Sequence, residues 1–569
     1  MADSTSFFWM NRRLATGLLA LTGDISQLDD GGFWVVSTTF EGQAICAKFE
    51  HILDDQPFPT QPDWEPIHDR WKSSLSKVDF ESYVQEIREQ ISLGNVYQVN
   101  ACRILTTHCS SQSIAPLFAE TLKHNPAQYA AFLQVPEIEI ASASPELFLR
   151  REGDAVLTSP MKGTRAYETG SGFGEKDVSE NLMIVDLMRN DLGRIATIGT
   201  VRATELFREE DHPGLIQLVS DVRADLRSDI TWEEIFQNLS PPGSVSGAPK
   251  IAATTIIADN EPVDRENYCG TFGWIHSGQA LLNVAIRTFW KRGSVLSYGT
   301  GAGITWGSDP GSEWEETELK TANLLRIAGG FNEVGWPFDN GIFETIRTEF
   351  GKPLLLAEHL ARAERSAKTL GVSFPEIPWI HSHMIEPHQK ELEKFAIGRL
   401  RLTFGNQAGV YVEEYQESQN PLRICTVPVT TIPGIGQHKT YPYTKNLKLL
   451  GQGTSLGFDE VLLVDPHGVI GEGAISNYAF LINGNWLTPE EDAGVLPGIV
   501  RALALKNQLI SEVRLTIEEA RKSQSIIALS SMKIAQPVGK IDDINFEVGA
   551  EVFELESTLR QICGSNSVG

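Results

Sequence analysis

The sequence predicts a mixed α+β protein that is divided into two modules. Helical and strand patterns alternate along the chain without the regular strand–helix repeat of a parallel doubly wound sheet. The 569 residues are too many for one hydrophobic core. Within the chain, one helical pattern is terminated by the glycine-rich stretch that follows it. We therefore expect four segments: a β-rich lead-in to the first module over 1–75, a first domain over 76–328, a linker over 329–337 and a second domain over 338–569.

The local patterns support this division. Residues 80–87 place apolar side chains at helical spacing, and 96–100 predict a strand. A new pattern begins at 341–347 and continues through a turn at Gly351 into a helix over 359–367. Further strand patterns, with alternation and β-branched residues, lie at 138–150, 154–158 and 271–290.

The composition is that of an acidic globular protein. Hydrophobic residues make up 41% of the chain and charged residues 21%. The formal net charge of −26 argues against a nucleic-acid surface, which needs clustered Lys and Arg, although one basic pocket can still bind small anions. The chain has no apolar run of the ~18 residues that a transmembrane helix needs, and its six cysteines are scattered. We expect a cytoplasmic protein that binds neither nucleic acid nor membrane.

Five ordered motifs carry most of the functional information in the first half. They are Ala-Ser-Pro-Glu at 143–146, Ser-Pro-Met-Lys-Gly-Thr at 159–164, the Glu-Asn to Asn-Asp segment at 180–191, Gly-Ser-Val-Ser-Gly-Ala-Pro-Lys at 243–250 and Glu-Trp-Glu-Glu-Thr at 313–317. In this order they resemble the chorismate-utilising enzymes, over about residues 75–325. The resemblance implies a two-sheet α/β sandwich like that of anthranilate synthase component I. Lys162 resembles the aminodeoxychorismate synthase branch, because anthranilate synthases usually carry alanine there.

The resemblance assigns roles in replacing the C4 hydroxyl of chorismate by an amine. Glu146 matches the general acid for the leaving hydroxyl, which should have a raised pKa. Lys162 matches a covalent nucleophile, which needs a lowered pKa; the alternative is a lysine that only pairs with a substrate carboxylate. Gln98 stands where isochorismate and salicylate synthases carry a water-activating lysine. Glutamine is no general base at neutral pH, so we expect ammonia as the nucleophile.

Two acidic pairs suit Mg²⁺, a hard cation that takes a few carboxylates plus substrate oxygens. Within each pair the residues are three apart and would share one helix face. By resemblance, Glu180 and Glu316 match the metal-binding glutamates, with Asp177 and Glu313 in support. Arg287 can pair with a carboxylate through two hydrogen bonds. The family positions that hold the substrate ring and carboxylates match Thr164, Tyr268, Arg287, Gly303 and Lys320, with Gln98 beside them.

The second half contains its own set of motifs, at 341–347, 359–367, 472–477 and 496–501. They resemble the fold type IV pyridoxal-phosphate enzymes, which include aminodeoxychorismate lyases and the branched-chain and D-amino acid aminotransferases. The resemblance implies a pyridoxal 5'-phosphate site with Glu472 under the pyridine nitrogen. Arg362 would bind the phosphate, together with backbone N–H groups around Ser476 and of Ile499 and Val500.

Three lysines are candidates for covalent attachment of the cofactor: Lys439, Lys445 and Lys448. Lys439 lies 33 residues before Glu472, and its His-Lys-Thr context resembles the cofactor-binding segment of the family. Lys445 would require a shortened helix between the two residues. We therefore predict Lys439, with Lys445 as the alternative.

Together the halves resemble an aminodeoxychorismate synthase component I fused to an aminodeoxychorismate lyase. We expect chorismate and ammonia to give 4-amino-4-deoxychorismate, and loss of pyruvate to give 4-aminobenzoate, a folate precursor. The sequence has no Gly-x-Cys-x-Gly segment of a glutamine amidotransferase, so ammonia would come from solution or a separate glutaminase subunit. The second half implies a homodimer. The alternative is an anthranilate synthase-like half joined to an amino acid aminotransferase, while a degenerate docking half is disfavoured because both sites keep their residue sets.

Overall fold

The computed structural model divides the chain into two compact units, residues 1–333 and 334–569. It describes residues 5–166, 173–212, 215–332, 337–338, 340–405, 408–429, 438–491 and 494–565. Side chains are described throughout these ranges except at 163–166, 175–177, 211–212, 215 and 444. Within these ranges, no helix has the length and apolar character needed to cross a membrane. All six cysteines are buried and free of disulfides.

The first unit combines many strands with a few helices. Its strands are β1 (Phe7–Met10), β2 (Arg13–Thr22), β3 (Phe33–Thr38), β4 (Ala44–Leu53), β5 (Ile67–Arg70), β6 (Lys72–Ser73), β7 (Gln98–His108), β8 (Ala131–Val135), β9 (Ile138–Ser142), β10 (Leu147–Glu152), β11 (Ala155–Ser159), β12 (Met161–Ala166), β13 (Arg202–His212), β14 (Leu215–Asp225), β15 (Gly247–Ala248), β16 (Thr271–His276), β17 (Gln279–Val284), β18 (Thr288–Arg292), β19 (Val295–Ile304) and β20 (Gly329–Phe331). Its helices are α1 (Lys77–Ser92), α2 (Ala115–His124), α3 (Glu175–Gly193), α4 (Trp232–Leu239), α5 (Gly243–Ser246), α6 (Lys250–Asn260) and α7 (Pro310–Ala328).

Most of these strands belong to one continuous antiparallel sheet. Hydrogen-bonded neighbours follow the order β6–β7–β19–β18–β9–β8–β1–β2–β4–β3–β16–β17–β10–β11–β14–β13, with β15 on β7 and β12 on β14. The two expected sheets are therefore joined by hydrogen bonds. The lead-in strands make the connection, because β1 bonds both β2 and β8 while β3 bonds both β4 and β16.

The start of the expected linker belongs to the first unit. Gly329–Phe331 forms β20, which pairs in parallel with β5 of the lead-in. Trp64 Nε1 donates to the Ala328 carbonyl (3.0 Å) and Trp71 Nε1 to the Gly329 carbonyl (2.9 Å). The expectation of a linker from residue 329 was therefore wrong at its start, since these backbone groups are satisfied by the first unit; residues 333–336 lie outside the described part.

The helix over 80–87 is found as part of α1. Ser76 caps its first turn by accepting from the Asp79 N–H. The predicted apolar positions Phe80, Tyr83, Val84 and Ile87 are its buried residues. The adjacent strand begins two residues later than the pattern suggested, so that Gln98 is the first residue of β7.

The second unit contains two sheets and the remaining helices. Its strands are β21 (Gly341–Glu349), β22 (Lys352–Pro353), β23 (Ile397–Phe404), β24 (Gly409–Glu414), β25 (Leu422–Pro428), β26 (Thr440–Tyr441), β27 (Glu460–Val464), β28 (Asn477–Ile482), β29 (Asn485–Pro489), β30 (Ser511–Val513), β31 (Ser525–Ser530), β32 (Ile534–Ile541) and β33 (Ile544–Asn545). Its helices are α8 (Leu356–Leu370), α9 (Ile377–Ile380), α10 (Gln389–Leu392), α11 (Thr444–Ser455), α12 (Ile499–Lys506), α13 (Ile517–Ala520) and α14 (Ala550–Cys563).

The smaller sheet has the order β22–β21–β23–β24, with β26 on β21. Helix α8 packs on β21 through an apolar cluster that includes Ile346, Leu360 and Ala363. The larger sheet has the order β27–β25–β32–β31–β28–β29–β30. It is mixed, because β25 runs parallel to both β27 and β32 while β31 is antiparallel to its neighbours.

Two candidate active sites

The first candidate site is centred on Lys162, which lies on β12. Gly303, on β19, faces it together with Gln98. A methyl group at Gly303 would lie 2.5 Å from Gln98 Nε2 and 3.0 Å from Lys162 Nζ. Three of the predicted residues therefore meet at one point, and the glycine provides the space. Gln98 is 2% exposed, and its Oε1 accepts no hydrogen bond from the residues that the structure describes.

Charged residues around Lys162 come from three more elements. Desolvation lowers the pKa of Lys162, and the ammonium of Lys320 lowers it further, while Glu180, Glu146 and Glu316 oppose the shift. Lys320 Nζ is 2.7 Å from Glu316 Oε1 and donates to the Gly301 carbonyl (3.1 Å). A nucleophilic amine requires a lowered pKa, and the pKa of Lys162 is shifted in that direction.

Glu146 lies in the loop before β10 and is 4% exposed. Its N–H donates to Ser144 Oγ (3.2 Å), and its carbonyl accepts from the Val284 N–H (3.1 Å). Burial raises the pKa of Glu146 to about 7, against smaller lowering effects of a hydrogen bond from Ser244 and of Lys162. A carboxyl group with this pKa can donate a proton near neutral pH.

Both predicted acidic pairs lie on helices. Glu180 is on α3, and Glu313 and Glu316 are on α7, whose first turn is capped by Asp309. The side chains of Asp177 and Thr164 lie outside the described part of the chain. Among the side chains that are described, no three His, Cys, Asp or Glu residues are grouped as a metal site.

The other two predicted substrate residues, Arg287 and Tyr268, also interact with β19. Arg287 has a left-handed backbone (φ 52°), and desolvation lowers the pKa of its guanidinium against the effect of Tyr298. Tyr268 packs so closely on Gly299 that any side chain at 299 would overlap its ring. Gly299, Gly301 and Gly303 alternate along the strand and so share one face. The sequence reasoning identified only Gly303, although the alternation of glycines from 299 to 303 was a visible signal.

A buried arginine that the sequence reasoning missed fixes the segments beside this site. Arg265 is 1% exposed and forms two hydrogen bonds to Glu261 (2.6 and 2.7 Å). It also donates to the carbonyls of Val245 (3.0 Å) and Asn100 (2.7 Å). Val245 directly follows Ser244, and Asn100 lies two residues after Gln98. The i, i+4 spacing of Glu261 and Arg265 was visible, but the backbone acceptors were not.

The second candidate site is a cavity of about 460 Å³ in the second unit. It is lined by all six residues that the sequence assigned to the cofactor: Arg362, Lys439, Glu472, Ser476, Ile499 and Val500. Ile499 and Val500 form the first turn of α12, where backbone N–H groups lack partners within the helix.

Lys439 immediately precedes β26, and its Nζ lies 4.7 Å from the centre of the Phe343 ring. Desolvation and then Arg362 lower the pKa of Lys439 to about 7, although Glu344 acts in the opposite direction. Lys445 and Lys448 are exposed on α11 and do not line the cavity. Of the three candidate lysines, only Lys439 is placed and desolvated for chemistry in this cavity.

Glu472 is 6% exposed and is held by the loop that precedes α12. Its Oε2 accepts from the Leu496 N–H (3.0 Å) and from Asn477 Nδ2 (3.3 Å). Asn477 Nδ2 also donates to the Leu496 carbonyl (3.2 Å), so it fixes the acid and the loop together. Burial raises the pKa of Glu472 to about 8. The sequence reasoning did not assign a role to Asn477.

Arg362 is anchored beside the same loop. Its guanidinium forms two hydrogen bonds with Glu344 (2.6 and 2.9 Å) and one with the Pro497 carbonyl (3.0 Å). His359 Nδ1 lies 2.6 Å from Glu344 Oε2. Although burial raises the pKa of Glu344, Arg362 and His359 hold it at about 2. Arg362 therefore reaches the cavity with a fixed orientation, and Glu344 is a further residue that the sequence reasoning missed.

The folds and sites together define a chorismate-binding module followed by a class IV aminotransferase module. Residues 15–326, more than half of the chain, match the chorismate binding enzyme family, and the chain belongs to this family. Residues 341–541 match the amino-transferase class IV family.

Curated relatives match the first module. Aminodeoxychorismate synthase component 1 of Escherichia coli K12 is 33% identical over 288 residues, which are 48% of this chain and 62% of the relative. An anthranilate synthase component 1 of Haloarcula marismortui is 31% identical over 306 residues, 50% of this chain and 62% of the relative. The chain thus spans less than two thirds of these relatives.

A solved structure supports the fold of the first module. A Bacillus anthracis protein described as a 2,3-dihydroxybenzoate-specific isochorismate synthase has a TM-score of 0.50 and 21% identity. The match covers 57% of this chain and 96% of that one. At this identity the likeness concerns the fold alone.

The geometry of the cavity predicts which lysine reacts with pyridoxal phosphate. After incubation with the cofactor and reduction with borohydride, peptide mass spectrometry should find the label on Lys439, because its amine has a pKa of about 7 and lies in the cavity. Exposed Lys445 and Lys448 serve as internal controls. A label on either of them, with Lys439 unmodified, would contradict the assignment.

Proposed function

We propose that the protein converts chorismate to 4-aminobenzoate in two steps. The first unit aminates chorismate to 4-amino-4-deoxychorismate, and the second eliminates pyruvate from that product. The observation that carries the proposal is the desolvated Lys162 beside Glu146, a carboxyl whose pKa of about 7 suits a general acid. The class IV module on the same chain, with Lys439 and Glu472 in one cavity, supports the second step.

In the first step the chain supplies a nucleophile and an acid. Lys162 Nζ adds to the ring of chorismate while the C4 hydroxyl leaves with a proton from Glu146. Ammonia then adds at C4 as the bond to Lys162 breaks, which returns the lysine to its starting state. Desolvation favours this role because it leaves more of the amine unprotonated.

Mg²⁺ fits the donors near Lys162. Glu180 and Glu316 both act electrostatically on Lys162, and carboxylate oxygen is the ligand type that Mg²⁺ prefers. One or two carboxylates plus substrate oxygens suffice for this ion, so no cluster of three protein ligands is required. The ion would compete with Lys320 for Glu316 and would neutralise a carboxylate of chorismate.

Gln98 favours ammonia over water as the nucleophile of the first step. The Gln98 amide cannot deprotonate water, and its Oε1 accepts no hydrogen bond from any described residue. A separate glutaminase subunit would supply ammonia in the cell.

Pyridoxal phosphate fits the second cavity, which offers a lysine with a pKa of about 7, a buried acid and an anchored arginine. When bound, the cofactor supplies an electron sink for the carbon that bears the substrate amine. Lys439 would remove the proton from C4 of 4-amino-4-deoxychorismate. The side chain would leave from the neighbouring carbon as enolpyruvate, which takes up a proton to become pyruvate, and the ring would become aromatic. Glu472 would interact with the pyridine nitrogen of the bound cofactor. A homodimer of the second unit completes the proposed assembly.

The identity of the aromatic product tests the proposal. Purified protein with chorismate, ammonium, Mg²⁺ and pyridoxal phosphate should form 4-aminobenzoate and an equal amount of pyruvate, resolved by chromatography with mass detection. Glutamine in place of ammonium should support no turnover without an added glutaminase. Anthranilate as the product would instead favour the activity named for the Haloarcula relative.

The pKa of Glu146 sets a pH limit on the first step. The acid must be protonated, so at a fixed concentration of free ammonia the rate should fall as pH rises through about 7. Glu146→Gln should lower the rate by about 10²- to 10⁴-fold and abolish this decrease of the rate with rising pH. Glu152→Gln, at an exposed position on β10, is the matched control. An unchanged pH profile in Glu146→Gln would show that another group is the acid.

A further inference from the structure

The wall of the second cavity contains a cation that the proposed mechanism does not use. Lys533 lies between β31 and β32 and lines the cavity, with its side chain 12% exposed. Its Nζ donates to Ser476 Oγ (3.1 Å) and lies 3.7 Å from Glu460 Oε2. Desolvation lowers the pKa of Lys533, while Glu460 acts in the opposite direction.

Glu460, which is fully buried, is already well supplied with donors. It accepts from the N–H groups of Val461 (3.2 Å) and Ala474 (3.0 Å), and from Ser476 Oγ (3.1 Å). These neutral donors stabilise the Glu460 carboxylate, so Glu460 depends less on the Lys533 ammonium for its hydrogen bonds. An ammonium group has three donors, so its contacts with Ser476 and Glu460 leave at least one for a ligand in the cavity.

The charges of the cavity wall indicate an anionic ligand. The described lining residues include six basic side chains and two acidic ones. Three of the basic groups are arginines with carboxylate partners: Arg362 bonds Glu344, Arg399 bonds Glu413 and Arg501 bonds Glu512. Arg401, the sixth basic group, is desolvated and interacts electrostatically with Glu413. Lys439 has its proposed role as the reactive amine. Lys533 differs from these arginines because its carboxylate neighbour is shared with three other donors.

We propose that Lys533, positioned by Ser476 and Glu460, binds an oxyanion in the second site, either a carboxylate of the substrate or the phosphate of the cofactor. The proposal rests on the proposed function, which brings both anions into this cavity. A charged hydrogen bond at a desolvated site is stronger than one between neutral groups. Its loss weakens binding of the anion that Lys533 contacts.

The test uses the full chain with Lys533→Met, which keeps the length of the side chain and removes its charge. One arm titrates the cofactor-free protein with pyridoxal phosphate and with pyridoxal, which lacks the phosphate. The other arm measures binding of 4-amino-4-deoxychorismate by equilibrium dialysis to the cofactor-loaded Lys439→Ala protein with and without Lys533→Met, because this background does not consume the substrate. Lys522→Met, at an exposed position in the same unit, is the matched control.

The two sources of the anion give different results. If Lys533 binds the cofactor phosphate, Lys533→Met weakens pyridoxal phosphate about 10- to 100-fold and leaves pyridoxal unchanged. If it binds a substrate carboxylate, the substrate affinity falls by a similar factor while both cofactor titrations stay at the wild-type values. Lys533→Arg keeps the charge and should retain most of the binding in either case.

Unchanged affinities in both arms of Lys533→Met would overturn the proposal. If Lys533→Met does not fold, as judged by its thermal unfolding, Lys533→Gln takes its place, because it keeps a polar contact with Ser476 without the charge. These binding measurements do not depend on turnover. A wild-type protein that binds both ligands but releases no pyruvate would refute the proposed function and leave the role of Lys533 open to the same titrations.

Discussion

The chemistry that we propose for both units depends on the desolvation of a lysine. An ammonium ion in water is a poor nucleophile and a poor base, and removal of water together with nearby cations shifts the balance toward the free amine. Lys162 is desolvated and lies near Lys320, whereas Lys439 is desolvated and lies near Arg362. In each case carboxylates limit the shift: Glu180, Glu146 and Glu316 act on Lys162, and Glu344 acts on Lys439. Each unit also desolvates one carboxyl group, Glu146 or Glu472, whose raised pKa provides the acid.

The scaffold supports these lysines with backbone and buried polar contacts. In the first unit, the alternating glycines of β19 let side chains of neighbouring elements approach the strand, and Arg265 holds the carbonyls of Val245 and Asn100. In the second unit, Asn477 joins Glu472 to the loop before α12, and Arg362 is bonded to that loop through Pro497. Removing such a buried partner would leave polar groups unsatisfied and displace the reactive side chains.

The sequence predicted the α+β class and the two modules, and it indicated candidate reactive residues, because motifs and periodicity are local properties of the chain. The six cofactor residues of the second unit line one cavity, and Gln98, Lys162 and Gly303 meet in the first. The joining of the expected sheets depends on pairing between distant strands, which periodicity does not reveal. Gly329–Phe331 was assigned to the linker because glycines normally end helices, whereas its pairing with β5 depends on tertiary contacts. Arg265 and Asn477 were missed although each bonds a nearby glutamate, because their other partners are backbone carbonyls, and Lys533 was missed because its partners are distant in sequence.

The central claim is that two desolvated lysines catalyse successive reactions on one polypeptide, and a complementation assay tests it most directly. Lys439→Ala, supplied with chorismate, ammonium and Mg²⁺, should accumulate 4-amino-4-deoxychorismate without releasing pyruvate, whereas Lys162→Ala should accumulate nothing from chorismate. Mixing the two proteins with pyridoxal phosphate should restore 4-aminobenzoate, because each variant keeps the site that the other lacks. Formation of 4-aminobenzoate by Lys439→Ala alone, or failure of the mixture to form it, would contradict the assignment of one reaction to each lysine.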